Sequence, residues 1–330
     1  MKIPTIALFT GDPAGIGPEI VAKVLTTPGA LPAARIVVIG QELGLAEAAR
    51  AIGTTLDLPA VAADHVRNGG PDVTRLEWAG WTAPAFARGK ANADNGAFML
   101  AALRTALDLA HHGQVDAVCF APLNKAALRA GGMTEEDELR WFAHVLNHHG
   151  ACGEFNVLET LWTSRVTSHV SLREVVDLLS AEKVAEAIGM LDAALRRAGI
   201  ANPRIGVCGL NPHNGDNGSY GREEIDVIAP GIRLAAAQGH VADGPYPADT
   251  IFVRAKNGAF DGIVTMYHDQ GQIAMKLMGF ERGVTVQGGL AVAITTPAQG
   301  TAYDIAGKGI ANPQAMSNAL AIAARMGAAN

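Results

Sequence analysis

Short apolar runs alternate along most of the chain with stretches in which apolar side chains return every three or four positions. Ile3–Phe9, Ile36–Ile39, Ala117–Ala121, Ile205–Leu210 and Gly262–Met266 have strand length and composition, and Arg165–Ser168 reads the same way. The segments between them predict helices. Pro18–Leu25 is one, with Pro18 suited to a first turn that needs no N–H; an Ala-rich helix follows from about Leu43. Asn95–His111 is a longer one, with apolar residues at Phe98, Leu100, Ala101, Leu103 and Leu107. Further helices are expected over Leu139–Leu146, Leu172–Leu178, Ser180–Ala198 and Ile225–Gln238. This alternation predicts an α/β fold, a largely parallel sheet with helices on its faces. At 330 residues the chain exceeds the size at which one core keeps growing, so two lobes are expected. No repeat, low-complexity segment or obvious linker separates them; the boundary should be a pair of chain crossings within one architecture.

Composition narrows the function. Ala and Gly outnumber aromatics, which suits close helix-on-sheet packing better than a β-sandwich. A formal net charge of −6 with scattered basic residues argues against a nucleic-acid surface. No apolar stretch reaches membrane-span length, and Met1-Lys2-Ile3-Pro4 opens a strand instead of a signal peptide. Cys119, Cys152 and Cys208 are odd in number and far apart, which predicts buried thiols in a reducing, cytoplasmic setting.

Two segments concentrate the chemistry. Asn211-Pro212-His213-Asn214-Gly215-Asp216-Asn217-Gly218 and Met266-Tyr267-His268-Asp269-Gln270-Gly271 read as loops, each placing a histidine just past a strand. Parallel strands carry ligand sites at their carboxyl ends. His169 follows a third such run. Three imidazoles there can hold a divalent transition metal and leave positions open for substrate. Asp216, Asp249 and Asp269 could orient ligands, take a proton or cap turns. The other histidines sit in polar or helix-end contexts and are expected to be solvated or in loops. Gly11-Asp12-Pro13-Ala14-Gly15-Ile16-Gly17-Pro18-Glu19 invites a nucleotide-loop reading, but lacks both the G-x-G-x-x-G fingerprint and a P-loop lysine. A structural turn and a ligand-facing loop both remain open for it.

Together these segments resemble the 4-hydroxythreonine-4-phosphate dehydrogenase (PdxA) family. The matching stretches are Gly11–Glu19, Ala121-Pro122-Leu123-Asn124-Lys125, Ser168-His169, Asn211-Pro212-His213, Pro247-Ala248-Asp249-Thr250, Tyr267–Gly271, Lys276 and Gly300-Thr301-Ala302-Tyr303-Asp304-Ile305-Ala306-Gly307, in family order from end to end. The resemblance implies two α/β/α lobes as in isocitrate and isopropylmalate dehydrogenases, and a homodimer with its active site in the cleft. It implies a metal held by His169, His213 and His268 from both subunits, with zinc first and cobalt, manganese or magnesium as alternatives. NAD or NADP is expected near Gly300, Thr301, Asp304 and Asn312, with Asp12 on the same cofactor. Lys276 would neutralise substrate charge and Asp249 would handle the proton. On that fold, residues 1–125 with 285–330 form the cofactor-side lobe and 126–284 the metal and dimer side.

The chain departs from the family at the substrate end. The His-Thr pair that grips a phosphate in the family is replaced by Glu138 and Leu139, followed by Arg140; an expected asparagine is Thr285, and an expected arginine is Ile294. An acid facing a phosphate is repulsive, and loss of an arginine fork removes a strong contact. The expectation is a metal- and NAD(P)-dependent oxidoreductase acting on a 3-hydroxy acid, with decarboxylation. Its substrate would be 4-phosphooxy-threonine-like or a related unphosphorylated acid, bound through Glu138, Arg140, Lys276 and Thr285. A carboxylated cis-dihydrodiol of the terephthalate type is an alternative, and a metal-dependent hydrolase or aldolase is the rival from another class. No nucleic-acid or membrane partner is expected.

Overall fold

The structure is a computed structural model, and residues 2–68 and 72–329 are described. The chain runs through β1 (Thr5–Phe9), α1 (Gly17–Thr26), β2 (Arg35–Ile39), α2 (Glu42–Ala51), β3 (Ala60–Val61), β4 (Val73–Leu76), α3 (Ala93–His111), β5 (Ala117–Phe120), α4 (Lys125–Ala130) and α5 (Glu138–Val145). It continues with β6 (Gly153–Leu158), β7 (Leu161–Arg165), α6 (Leu172–Leu178), α7 (Ala181–Arg197), β8 (Ile205–Cys208), α8 (Ala229–Ala237), β9 (Ala242–Tyr246), α9 (Ala248–Lys256), β10 (Gly262–Thr265) and α10 (His268–Gly279). Last come β11 (Val284–Gly288), β12 (Ala293–Pro297) and α11 (Gln314–Ala328).

Two compact units divide the chain, Met1–His149 with Leu290–Asn330, and Gly150–Gly289. In the first, strands lie in the order β3-β4-β2-β1-β5-β12, parallel throughout. In the second the order is β11-β6-β7-β10-β8-β9; β6 is antiparallel to both neighbours and the remaining pairs are parallel. The all-buried β1, β5, β8 and β10 are the continuous apolar runs of the sequence, as expected for strands covered on both faces. Among the described residues no helix is long and apolar enough to cross a membrane.

Three local differences from the sequence reading have physical causes. Residues 126–149, expected in the second lobe, pack in the first unit. There a Cβ on Gly96 would stand 1.8 Å from the Ala127 carbonyl oxygen and one on Gly131 would stand 2.3 Å from the Ala97 nitrogen, so α3 and α4 meet backbone to backbone. Phe142 of α5 packs on Phe120 of β5, with ring centroids 5.6 Å apart. The expected single helix Ile225–Gln238 is instead a π-helical turn, Glu224–Ile228, leading into α8. Pro230 has no N–H for the Asp226 carbonyl, which breaks the ordinary ladder there. Finally, the segment expected to be a loop around His268 is the start of α10.

Two glycines of the loop after β1 serve the fold's own packing. Every residue from Pro4 to Ala22 is buried. A Cβ on Gly15 would lie 2.8 Å from the Thr301 carbonyl oxygen, and one on Gly17 would lie 2.2 Å from that of Thr10. These glycines make room for the protein's own backbone, and Ile16 N–H donates to the Thr301 carbonyl at 3.0 Å. Asp12 secures the arrangement. Its carboxylate accepts from the Tyr303 hydroxyl at 2.5 Å, from Ala14 N–H at 2.9 Å and from the Asn95 amide at 3.4 Å. Burial pushes the Asp12 pKa up against the pull of those three bonds.

Two expectations follow from these contacts. Gly96→Ala should destabilise the protein by about 1–3 kcal/mol through overpacking, read as a lower urea midpoint at unchanged m-value. For Asp12, the folded state holds its proton more tightly than the unfolded chain, so this group's contribution to stability falls as pH rises above the ordinary carboxylate range. Asp12→Asn keeps an acceptor for Tyr303 and should remove that decline, measured as the difference in unfolding free energy from the parent between about pH 4 and 7.

Candidate active site

The three histidines singled out by the sequence all lie in the second unit. Hydrogen bonds beyond the last paired residues hold the exits of β7 and β10 side by side. Val166 N–H donates to the Thr265 carbonyl at 2.9 Å, and Thr167 donates to the Met266 carbonyl through its N–H at 3.1 Å and its hydroxyl at 2.8 Å. Arg165 then fixes the turn that follows. Its guanidinium donates to Ser168 Oγ at 2.9 Å, Asn156 Oδ1 at 2.8 Å and Glu154 Oε2 at 2.8 Å. On the other exit, Gln270 accepts from Met266 N–H at 2.7 Å and donates to the Gly209 carbonyl at 2.8 Å, tying the start of α10 to the end of β8.

The result is a pair of imidazoles. The rings of His169 and His268 have centroids 5.7 Å apart and planes tilted by 43°. His268 Nδ1 lies 2.7 Å from Asp269 Oδ1. Where Nδ1 donates to this carboxylate, Nε2 is the nitrogen left to bind a metal, the usual support for a metal-binding histidine.

His213 is presented differently. From His213 to Asn217 the backbone stays left-handed, with φ values of 52°, 59°, 76°, 42° and 54°. Such a conformation costs an ordinary L-residue roughly 1–2 kcal/mol, and only Gly, Asn, Asp and His visit it readily. The sequence His-Asn-Gly-Asp-Asn contains nothing else, which explains its composition. Glu224, only 4% exposed, braces the entry to this turn. Its Oε1 accepts from Leu210 N–H and Asn211 N–H, both at 2.7 Å, and its Oε2 accepts from the Asn211 amide at 3.0 Å. Those bonds hold the Glu224 pKa below the usual carboxylate range, although burial opposes them as the largest single influence. His213 itself is exposed beside the Tyr220 ring, at 6.3 Å between centroids.

One chain thus brings two of the three imidazoles together. Among the described residues no three His, Cys, Asp or Glu side chains gather to hold an ion. Asp249 is exposed in the first turn of α9, where an acid also favours the helix dipole. Lys276 is exposed in the last turn of α10, and Thr285 is half-buried in β11 opposite Asn156. Asp216 lies inside the left-handed turn. His240, expected to be solvated, is instead half-buried with Nδ1 2.9 Å from the buried Asp192.

The remaining positions lie in the first unit. Glu138 opens α5 after its N-cap Asp137, and its carboxylate is 3.7 Å from Lys125 Nζ. Leu139 is buried at 1% exposure and Ile294 is fully buried in β12, so both are core residues, whereas Arg140 is exposed. Asp12, expected on the cofactor, is the buried acceptor for Tyr303. Gly300 and Asp304 are exposed and Thr301 is half-buried. Asn312 is exposed and its Oδ1 accepts from Gln314 N–H at 2.9 Å, at the start of α11. Near this loop a hollow of about 30 Å³ is lined by Gly15, Glu19, Gln41, Glu47, Arg88 and Gly307, with Arg88 paired to Glu47. It faces the amino ends of α1 and α2, neither of which has a side-chain cap. The sequence reading quoted Gln270 in the His268 segment and Arg165 at the start of the run before His169 without giving either a role, and it missed Glu224, which lies outside both histidine segments.

Comparison with known proteins places this arrangement. The family described as pyridoxal phosphate biosynthetic protein PdxA matches residues 32–323. A Pseudomonas aeruginosa protein provisionally named 4-hydroxythreonine-4-phosphate dehydrogenase 2 is 53% identical over 330 residues, 99% of this chain and 98% of the relative. D-threonate 4-phosphate dehydrogenase of Salmonella typhimurium is 37% identical over 329 residues, covering 99% and 100%. The crystal structure of a 4-hydroxythreonine-4-phosphate dehydrogenase from Burkholderia phymatum aligns with a TM-score of 0.83 at 35% identity, covering 99% of each chain. Agreement of sequence and fold across nearly every residue means that the chain belongs to the PdxA family and is a dehydrogenase.

Proposed function

We propose that this protein oxidises the secondary alcohol of a threonate-type 3-hydroxy acid, with NAD or NADP and a divalent transition metal. The observation that carries the reading is the His169–His268 pair, with Asp269 leaving one imidazole nitrogen free. Neutral imidazoles suit zinc, cobalt or manganese, so the donors present fit half of such a site. The third donor, His213, would come from a second copy of the chain. Held by His169, His268 and His213, the metal would polarise the substrate hydroxyl, and the nicotinamide would accept the hydride from its carbon.

This chain's own groups would do the rest. Lys276 would meet the substrate's anionic charge, and Asp249 would take the hydroxyl proton. A carboxylate β to the new ketone would then leave as carbon dioxide while its former carbon takes a proton. Gly300, Thr301, Asp304 and Asn312 would hold the adenosine. The hollow beside Gly307 adjoins that loop; two uncapped helix amino ends there favour an anion, and Glu19 and Glu47 oppose one. Exposed apolar residues support the second copy. Val170, Leu172 and Val176 follow His169, and Ile273 and Leu277 lie on the helix that His268 begins.

Both the Pseudomonas and Salmonella relatives are named for phosphorylated substrates, which favours 4-phosphooxy-threonine or D-threonate 4-phosphate here. One observation favours a second reading, an acid without phosphate. Glu138 takes up the charge of Lys125, and the next residue, Leu139, is buried.

NADH formation with each of these acids, phosphorylated and not, tests both readings. Turnover that vanishes on chelation and returns with zinc, cobalt or manganese is expected. No turnover of any hydroxy acid with any of these metals would sink the dehydrogenase assignment of the substrate, and kcat/KM near about 10⁴ M⁻¹s⁻¹ for a phosphorylated acid would eliminate the second reading alone. Sharing of the site between copies has its own measurement. His213→Ala and His268→Ala proteins, each inactive, should regain activity when mixed and allowed to exchange subunits. A mixture that stays inactive after exchange would place all three imidazoles in one chain.

A further inference from the structure

We infer that Glu224 is a positioning residue that locks the left-handed turn and so sets where the His213 imidazole stands. The inference rests on the reading of His213 as a metal ligand. Among the described residues Glu224 makes no hydrogen bond to His213 or the other two histidines; it acts through the backbone.

Three independent features converge on it. The first is strain. Five consecutive left-handed residues, four of them not glycine, persist only where the surroundings over-determine them. The turn carries its own short-range ladder across Pro212–Gly218, entered by Asn214 N–H to the Asn211 carbonyl and left by Ser219 N–H to that of Asp216, both at 3.1 Å. The Asn214 amide donates outward to the Pro245 carbonyl at 3.0 Å. Its buried Oδ1 has no hydrogen-bond partner among the described residues. The ladder shapes the turn, and the contacts at its entry set where the turn stands.

The second feature is the fit of the carboxylate. Both oxygens are used at that entry, on two backbone N–H groups and one amide. A Cβ on Gly215 would stand 2.7 Å from Oε2, and one on Gly209 would stand 3.0 Å from Oε1. The carboxylate is thus wedged between the entry and the middle of the turn, and glycine on both sides gives it the space. A shorter acid cannot reach both, and an amide turns one acceptor into a donor that faces another donor.

The third feature is where Glu224 sits. It is the first residue of the π-helical turn that Pro230 makes possible. Such turns are rare and concentrate at functional sites. Adding a second acid, Glu223 Oε2 accepts from the same Asn211 amide at 2.6 Å. Asn211 is thereby clasped two residues before His213.

The full-length protein carries the test, first without metal. In the parent, amide exchange at Leu210 and Asn211 should be slow; fast exchange there would overturn the lock with no variant needed. In Glu224→Gln the same amides should exchange at least tenfold faster. The His213 imidazole ¹⁵N resonances should also move, while those of His169 and His268 stay in place. A variant with His213 resonances and amide exchange like the parent, whatever its melting temperature, would reduce Glu224 to a general stabiliser and overturn the inference. Asn211→Ala gives the same two readouts should Glu224→Gln fail to fold. Cobalt(II) titration then reads the consequence. Affinity should fall about ten- to a hundredfold, with a changed visible absorption band. If the parent binds no cobalt and His213→Ala changes nothing, the metal reading fails, and the lock is still judged on exchange and imidazole resonances.

Discussion

Parallel pairing of β7 with β10 does not stop at the last strand residue. It continues through Val166 and Thr167 onto Thr265 and Met266, so that two chain exits leave the sheet in contact. His169 and His268 follow at once, and the 5.7 Å between their rings is a consequence of that register. A one-residue slip would turn every side chain of a strand to the other face, so the buried cores on each side of β10 also fix the pair. Arg165 and Gln270 add direction by tying the turn on one side and the helix start on the other. The chemistry is thus placed by backbone pairing first and by side-chain bonds second.

A different economy governs the first unit. There the most ligand-like sequence, the glycine-rich loop after β1, serves the protein's own packing. Its glycines admit the Thr10 and Thr301 carbonyls, and its acid binds a phenol. The late loop from Gly300 to Asn312 is therefore held by a buried polar contact beneath it. Burying a carboxylate is unfavourable, and three donors only partly offset that cost, which is why the Asp12 pKa stays raised.

Much of this was legible in the sequence. The apolar runs gave the central strands because β1, β5, β8 and β10 are buried on both faces and carry a continuous signal. The edge strand β3 has two residues, and β9 contains Asp243, Gly244 and Pro245; neither has a periodicity to read. The histidines were visible as residues past strand ends. Their supports were not, because Glu224 lies eleven positions beyond His213 and Arg165 points back into its own strand neighbours. Hydrogen bonds made by long side chains depend on where the backbone has already gone. Leu139 and Ile294 show the same limit in reverse: aligned to ligand-facing positions, they are core residues.

The two kinds of support differ in what they can tolerate. His169 and His268 stand on ordinary backbone, where the sheet's cooperative pairing holds them and a lost side-chain bond leaves the register intact. His213 stands on a turn that opposes its own conformation. Only residues tolerant of positive φ fill it, and the opposing free energy is met by its own ladder together with contacts at its entry. An imidazole held that way has a position that follows the bonds at the turn's entry, so it can be shifted without disturbing the sheet. Under the proposed sharing, a site of one rigid pair and one strained, separately braced imidazole would be preorganised on one side and adjustable on the other. The adjustable side is also the exposed one, which is where a donor must lie if it is to serve another copy of the chain.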